Sequence, residues 1–169
     1  FDLPDNIKII NKKEEIQLFK GIIYITNENI TLTKKIDTVI MRPKNLIIGI
    51  GCRKGKSKEE IVSAIKDSLN KTNKNILSIK KIATIDVKKD EKGIFEAAEY
   101  FKVPLEVINR EEVKQIDSRF ETSDFVKKTI GVGAVAEPVA ILSSHNGKLI
   151  LNKTKFRGIT IAIAEEGGY

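Results

Sequence analysis

The stretch IGIGCRKGKSKEEI, residues 48–61, sets three glycines, the chain's single cysteine and two adjacent cations in front of a helical pattern. Gly49, Gly51 and Gly55 stand where backbone amides can point at a ligand and where a helix dipole favours an anion. Arg53 and Lys54 add charge at the same place. The spacing is G-x-G-x-x-x-G, with Cys-Arg-Lys-Gly where a phosphate loop carries Gly-Lys-Ser/Thr. It therefore fits neither the dinucleotide fingerprint nor the nucleotide-triphosphate loop. An anion-binding turn and a tight strand-to-helix connection with solvated cations both fit the pattern. Cys52 has the cationic neighbours that activate a thiolate. A cysteine nucleophile also needs a base, and the single histidine, His145, lies in SSHNGK, which reads as a helix end running into a turn. Cys52 is therefore expected to be a small packed residue and His145 a surface one.

ATIDVKKDEKG, residues 83–93, repeats the arrangement: a strand ending in Thr84 and Asp86, then a loop that carries Lys88 and Lys89 into a helix. Strand ends at this edge of an α/β sheet are where ligands bind. Asp86, Asp90 and Glu91 have the oxygen ligands a hard metal takes; in the plainer alternative Asp90 caps the helix while Lys88 and Lys89 stay in water. GVGAVAEP, residues 131–138, matches G-x-G-x-x-A through Gly131, Gly133 and Ala136, but it follows a basic helical stretch and not a strand. Glu137 precedes Pro138, a residue tolerated in a first helical turn, so its carboxylate belongs near a helix N-terminus. There it is a base, a ligand hook or an ordinary dipole-complementing glutamate.

Positioning these residues falls to alternating elements. LIIGI reads as a buried strand and the next helix runs from Ser57 to about Asn70. Ser57 and Glu60 form its capping box, and Ile61, Ala64, Ile65, Ser68 and Leu69 line one face. SIKKIATI is a strand, followed by a helix from Asp90 to about Lys102 with Asp90 as N-cap and Ile94, Phe95, Ala97, Ala98 and Phe101 at helical spacing. PLEVI is a further strand. Beyond it come a short helix at SDFVKKTI, capped by Ser123 and stopped at Gly131, a helix around AEPVAILSSH, and strands at KLIL and GITIAIA. The alternation predicts an α/β fold, a layered α/β/α domain with a central mixed sheet over residues 46–169. Residues 1–45 read as a short β-rich N-terminal segment, with strands at Ile7–Ile10 and Gly21–Thr26 between polar loops and a boundary at MRPKN around Pro43.

The chain has 169 residues, 41% of them hydrophobic, enough for a real core. Lys and Arg outnumber Asp and Glu by 30 to 23, and the resulting +7 favours an anionic partner. With 6% aromatic residues, no tryptophan and no basic-aromatic interleaving, nucleic acid is not expected to be that partner. One cysteine excludes an intramolecular disulfide, and one histidine beside it leaves no zinc-type cluster, so a reducing, cytoplasmic setting is expected. No apolar run approaches the ~20 residues of a membrane span. FDLPDNIKII lacks the pattern of a signal peptide, so no membrane is expected as partner. Opening on Phe1 in place of Met points to a piece of a longer polypeptide.

Taken in order, IGIGCRKGKSKEEI, IATIDVKKDEKG and VGAVAEPVAIL, closed by TIAIA, resemble the C-terminal domain of the CbiG family of cobalamin biosynthesis proteins over residues 46–164. Residues 1–45 look like part of that family's middle region. The resemblance implies a role in the anaerobic route to the corrin ring as a cobalt-precorrin-5A hydrolase. Such an enzyme opens the δ-lactone on the macrocycle, and a two-carbon fragment leaves as acetaldehyde. It implies an anionic cobalt-precorrin as partner, together with the N-terminal domain of the full-length protein, and it is compatible with a homodimer. No cofactor is expected on the protein, cobalt being carried by the substrate. Under this resemblance Glu137 and Asp86 are the candidate catalytic carboxylates. The first turn supplies Gly51, Cys52, Arg53, Lys54 and Gly55 as substrate contacts; the second supplies Thr84, Lys88 and Lys89, and Gly133 joins them. A non-catalytic domain that holds the macrocycle for the N-terminal part is the alternative.

Overall fold

A computed structural model describes residues 7–10, 19–31, 36–116, 120, 134–145 and 147–167. The apolar run that ends in the glycine turn forms β3 (Leu46–Cys52), the middle strand of a five-stranded sheet. On one side β3 pairs in parallel with β4 (Ile79–Ile85), which pairs in parallel with β5 (Leu105–Ile108). On the other side lie β7 (Ile159–Glu165), antiparallel to β3, and then β6 (Lys148–Phe156), antiparallel to β7. The order is β5-β4-β3-β7-β6, a mixed sheet as the alternation predicts.

The period of two along β3 divides its side chains between two cores. Leu46, Ile48 and Ile50 pack with Ile61, Ile65 and Leu69 of α1 (Lys58–Lys71) and with Ile94, Ala97 and Ala98 of α2 (Lys92–Phe101). Ile47 faces the opposite way. There the sheet offers Ala83, Ala162 and Ala164, and α4 (Ala136–Ser143) lays Ala136, Val139 and Ala140 on them. α3 (Arg110–Ile116) joins the same face through Val113. One face thus carries bulky aliphatic side chains under two helices, while the other combines Ile47, Ile85 and Ile108 with the alanines that let α4 approach closely.

α1 follows its sequence signals: Ser57 accepts from the Glu60 amide, and the Glu60 carboxylate accepts from the Ser57 amide. α2 departs from them. Asp90 lies in a turn outside the helix, and Glu91 is the residue at the N-cap, with no side-chain capping bond. A 3-10 turn over Asp86–Lys88 delays the helix start, and the Glu91 carboxylate is drawn towards Gly55. α3 forms where NREEVKQID carries no helix in the sequence reading; its Asn109 side chain accepts from the Glu111 amide. β6 extends well beyond KLIL. His145 is exposed just after α4, with φ of 42°. The expected helix at SDFVKKTI, with its Ser123 cap and Gly131 stop, lies outside the described residues, as does Gly133.

In the N-terminal segment β1 (Gly21–Ile25) is the strand read from Gly21–Thr26, and it pairs in parallel with β2 (Asp37–Met41). Ile7–Ile10 is not a strand. Asn27 joins this segment to the larger sheet: its Nδ2 donates to Asn45 Oδ1 at 3.0 Å and to Glu165 Oε1 at 2.9 Å. Lys74 Nζ donates to Asn27 Oδ1 at 2.7 Å and lies 3.3 Å from Glu165 Oε2.

Candidate functional site

The parallel strands β3 and β4 end at one edge of the sheet, and the two charged turns of the sequence meet there. The first turn is held from two sides. The Arg53 amide donates to Gly158 O at 2.8 Å across the β6–β7 hairpin, and the Gly55 amide donates to Glu91 Oε2 at 3.0 Å. Glu91 also lies 3.3 Å from Lys88 Nζ, so one carboxylate stitches the turns together. Gly93, at the start of α2, completes the seam: a Cβ there would come 2.0 Å from Lys56 O. The amides of Arg53, Gly55 and Ser57 are therefore engaged internally, with Glu91 as the resident anion of the glycine turn. What remains for an outside ligand is side-chain charge. Arg53, Lys54 and Lys89 are exposed, and none has an acidic partner among the described residues.

Gly49 and Gly51 serve another purpose than the one their spacing suggests. Both lie within β3, on the α4 side, paired with Ala162 and Thr160 of β7. A Cβ on Gly49 would stand 2.0 Å from Ala136 O, and one on Gly51 would stand 3.3 Å from Val135 Cβ. The alternate glycines make a bare track on which the first turn of α4 rests. Thr84 is also taken up inside: it is fully buried, and its hydroxyl donates to Ile50 O at 3.0 Å, as a hydroxyl shut away from water must. Lys88 is ion-paired and not solvated, contrary to the plainer reading of its loop.

Cys52 packs partly buried against the first core. Burial, followed by the negative charge of Glu91, pushes its thiol up to about 11, and Lys88 and Lys56 oppose this only in part. The thiol is thus protonated near neutral pH and lacks the low value of an activated nucleophile.

Two carboxylates at this edge each keep one buried oxygen without a hydrogen-bond partner, Asp86 Oδ1 and Glu137 Oε2. Asp86 Oδ2 accepts from Arg110 Nε at 3.2 Å and from the Arg110 amide at 3.5 Å. Burial raises its carboxyl, but the Arg110 bonds and charge, with the Val87 amide, outweigh that and hold it below the usual aspartate value. Such a carboxylate is a weak base committed to Arg110. Glu137 is different. It is 7% exposed in the first turn of α4, a turn without a side-chain cap, and its Oε1 accepts from the Lys153 amide at 3.0 Å. Between Leu151 and Thr154 β6 carries one residue more than the facing stretch of β7, and the Lys153 amide lies in that bulge. Glu137 is thereby fixed by one oxygen and leaves the other unpaired.

The structure gathers Cys52, Arg53, Lys54, Gly55, Lys88 and Lys89 around one seam, while Glu137 lies on the α4 face of the sheet, bonded to β6, and Asp86 is turned towards α3. The metal alternative at Asp86, Asp90 and Glu91 is not supported: among the described residues no three His, Cys, Asp or Glu side chains group as metal ligands. Glu91 and Arg110 were missed as organising residues, and so was the hairpin around Arg157 and Gly158. Gly158 in FRGIT, between two strand patterns, was the available signal for the hairpin.

This mixed sheet, with its helical layers, is the architecture of cobalamin-pathway proteins. It matches the crystal structure of CobE, a protein from the cobalamin (vitamin B12) biosynthetic pathway, with a TM-score of 0.67 and 26% identity, covering 73% of this chain and 91% of that one. It also matches a cobalamin biosynthesis protein G homologue from Sulfolobus solfataricus, with a TM-score of 0.56 and 28% identity, covering 99% of this chain and 48% of that one. Within that class the chain belongs to the CbiG family: residues 46–164 match the family described as Cobalamin synthesis G C-terminus. A curated relative from Methanocaldococcus jannaschii, named "Probable cobalt-precorrin-5A hydrolase", is 37% identical over 140 residues, which cover 77% of this chain and 43% of that protein. The cobalt-precorrin-5A hydrolase of Priestia megaterium is 36% identical over 126 residues, 75% of this chain and 33% of that protein. The chain spans less than half the length of these relatives. No helix among the described residues is long and apolar enough to cross a membrane.

Proposed function

We propose that this chain forms the lactone-opening site of a cobalt-precorrin-5A hydrolase in the cytoplasm, working together with the further polypeptide that its longer relatives carry. The observation that carries this reading is Glu137, a buried carboxylate fixed through one oxygen and unpaired at the other. Lactone hydrolysis needs a water, a base for its proton and donors for the oxyanion. In this mechanism Glu137 Oε2 takes a proton from water as the water oxygen adds to the lactone carbonyl. The tetrahedral intermediate then expels the ring oxygen, which regains the proton from Glu137, leaving a carboxylate and an alcohol; loss of the alcohol's proton and cleavage of its carbon–carbon bond to the macrocycle, the electron pair staying on the macrocycle, releases the two-carbon fragment as acetaldehyde. The uncapped first turn of α4 provides amide dipoles of the sign an oxyanion favours. Arg53, Lys54 and Lys89 suit the acetate and propionate carboxylates of the macrocycle, and cobalt arrives as part of that substrate.

Glu137→Gln keeps the shape and removes the base. In the full-length protein it is expected to slow acetaldehyde release from cobalt-precorrin-5A by roughly 10²–10⁴-fold while leaving substrate binding, followed by absorbance, within a few-fold of the parent. Unchanged turnover would exclude Glu137 as the base.

A second reading, that the domain only holds the macrocycle, draws on the internal engagement of the Arg53, Gly55 and Ser57 amides and on Asp86 being committed to Arg110. Binding by this chain without acetaldehyde release, together with full activity of the Glu137→Gln full-length protein, would favour it.

A further inference from the structure

We propose that the β6–β7 hairpin is the second wall of the ligand edge, with Arg157 as a further substrate-binding residue and Gly158 as the seat of Arg53; this rests on the polycarboxylate reading above. The Arg53 amide bonds to Gly158 O at 2.8 Å, and the facing pair Cys52↔Ile159 brings the hairpin alongside the end of β3. A Cβ on Gly158 would lie 2.9 Å from Lys56 Cε and 3.3 Å from Arg53 Cδ, so the stems of both cations run across the bare face of this glycine. Its φ of 76° is itself a conformation that favours glycine. Arg157, the residue before it, is exposed and, like Arg53 and Lys54, has no acidic partner among the described residues.

Several cations elsewhere are paired with carboxylates: Lys74 with Glu165, Lys80 with Glu166, Lys81 with Glu106 and Lys114 with Glu111. At this edge four, Arg53, Lys54, Lys89 and Arg157, are brought together without acidic partners among the described residues, from stretches distant in sequence, and their mutual repulsion is relieved when an anion is supplied from outside. Two of the four are arginines, whose planar forks hold carboxylates in bidentate fashion. A macrocycle with carboxylates on its periphery would thus be held on the α1–α2 side by Lys54 and Lys89 and on the hairpin side by Arg53 and Arg157.

The test titrates the chain by absorbance with cobyrinic acid, a cobalt corrinoid whose peripheral carboxylates are free. Arg157→Ala is expected to weaken binding about tenfold, as loss of a charge-assisted contact would. Arg157→Lys should recover part of the loss. Lys148→Ala removes an exposed cation from the opposite end of β6 and should change nothing. Binding by Arg157→Ala equal to the parent, with Arg53→Ala weakened, would overturn the hairpin's part and leave the polycarboxylate reading standing. Equal losses in Arg157→Ala and Lys148→Ala would reduce the effect to net charge and also overturn it. No binding of cobyrinic acid by the parent chain would overturn the polycarboxylate reading, and the hairpin's part with it.

Discussion

Cys52, at the end of β3, and Glu137, in the first turn of α4, have opposite chemical prospects. The thiol, raised to about 11, should alkylate slowly with iodoacetamide at pH 7, with a rate that still climbs through pH 9 and has its midpoint near pH 11. The sign for stability follows: the folded value lies above the ordinary 9.0, so the contribution of the protonated thiol is intact below pH 9 and is lost as pH rises towards 11. A rate profile with its midpoint below pH 8 would show an activated thiolate and revive Cys52 as a nucleophile. The sequence exposed Glu137 through Pro138, because a proline in a first helical turn fixes where the carboxylate must stand. It did not expose the separate roles of the glycines. Glycine on alternate strand positions serves a close helix just as well as an amide cradle, and only the contact with Ala136 separates the two.

Among the elements, α1 was legible because its signals are local: a capping box and a 3.6-residue apolar period lie within one stretch of chain. Ser57→Ala should cost about 1 kcal/mol in urea unfolding. Gly49→Ala should cost more, about 1–3 kcal/mol, because a methyl at 2.0 Å from Ala136 O forces α4 off the sheet. If Glu137 is the base, that displacement also lowers turnover, whereas Ser57→Ala leaves turnover unchanged; equal effects of the two on turnover would contradict the rigid α4 seat. The start of α2 was misread because Asp90 is the better cap on paper, whereas the 3-10 turn over Asp86–Lys88 carries the helix start on to Glu91, whose carboxylate goes to Gly55, far away in sequence. β2 was not read at all. DTVIM is a short run whose parallel partner is set by distant chain and not by a hairpin turn.

At the scale of the whole molecule, the N-terminal β segment is tied to the α/β layers by a polar knot of Asn27, Asn45, Lys74 and Glu165. Burial pushes the Glu165 carboxyl up, but the bonds from Asn27 and Lys74, and the charge of Lys74, bring it below its ordinary 4.5. Its contribution is therefore present above pH 4.5 and lost as pH falls through the lower folded value. Cleavage around Thr26–Asn29 by an acid-active protease should accelerate below pH 4.5, and Lys74→Met should bring that susceptibility to neutral pH. Unchanged cleavage in the variant would mean that the knot does not hold the segment. The knot was illegible in the sequence because its members come from four separate stretches of chain.

The mixed sheet also imposes an order on the making of this protein. β3 emerges from the ribosome well before β7, its neighbour on one side, which follows every helix described here. Until then the central strand, apolar on both faces, waits with one edge open to mispairing. The hairpin that closes this edge also carries Arg157, so under the polycarboxylate proposal a nascent chain would have no finished ligand edge to offer a macrocycle until synthesis of the sheet is complete.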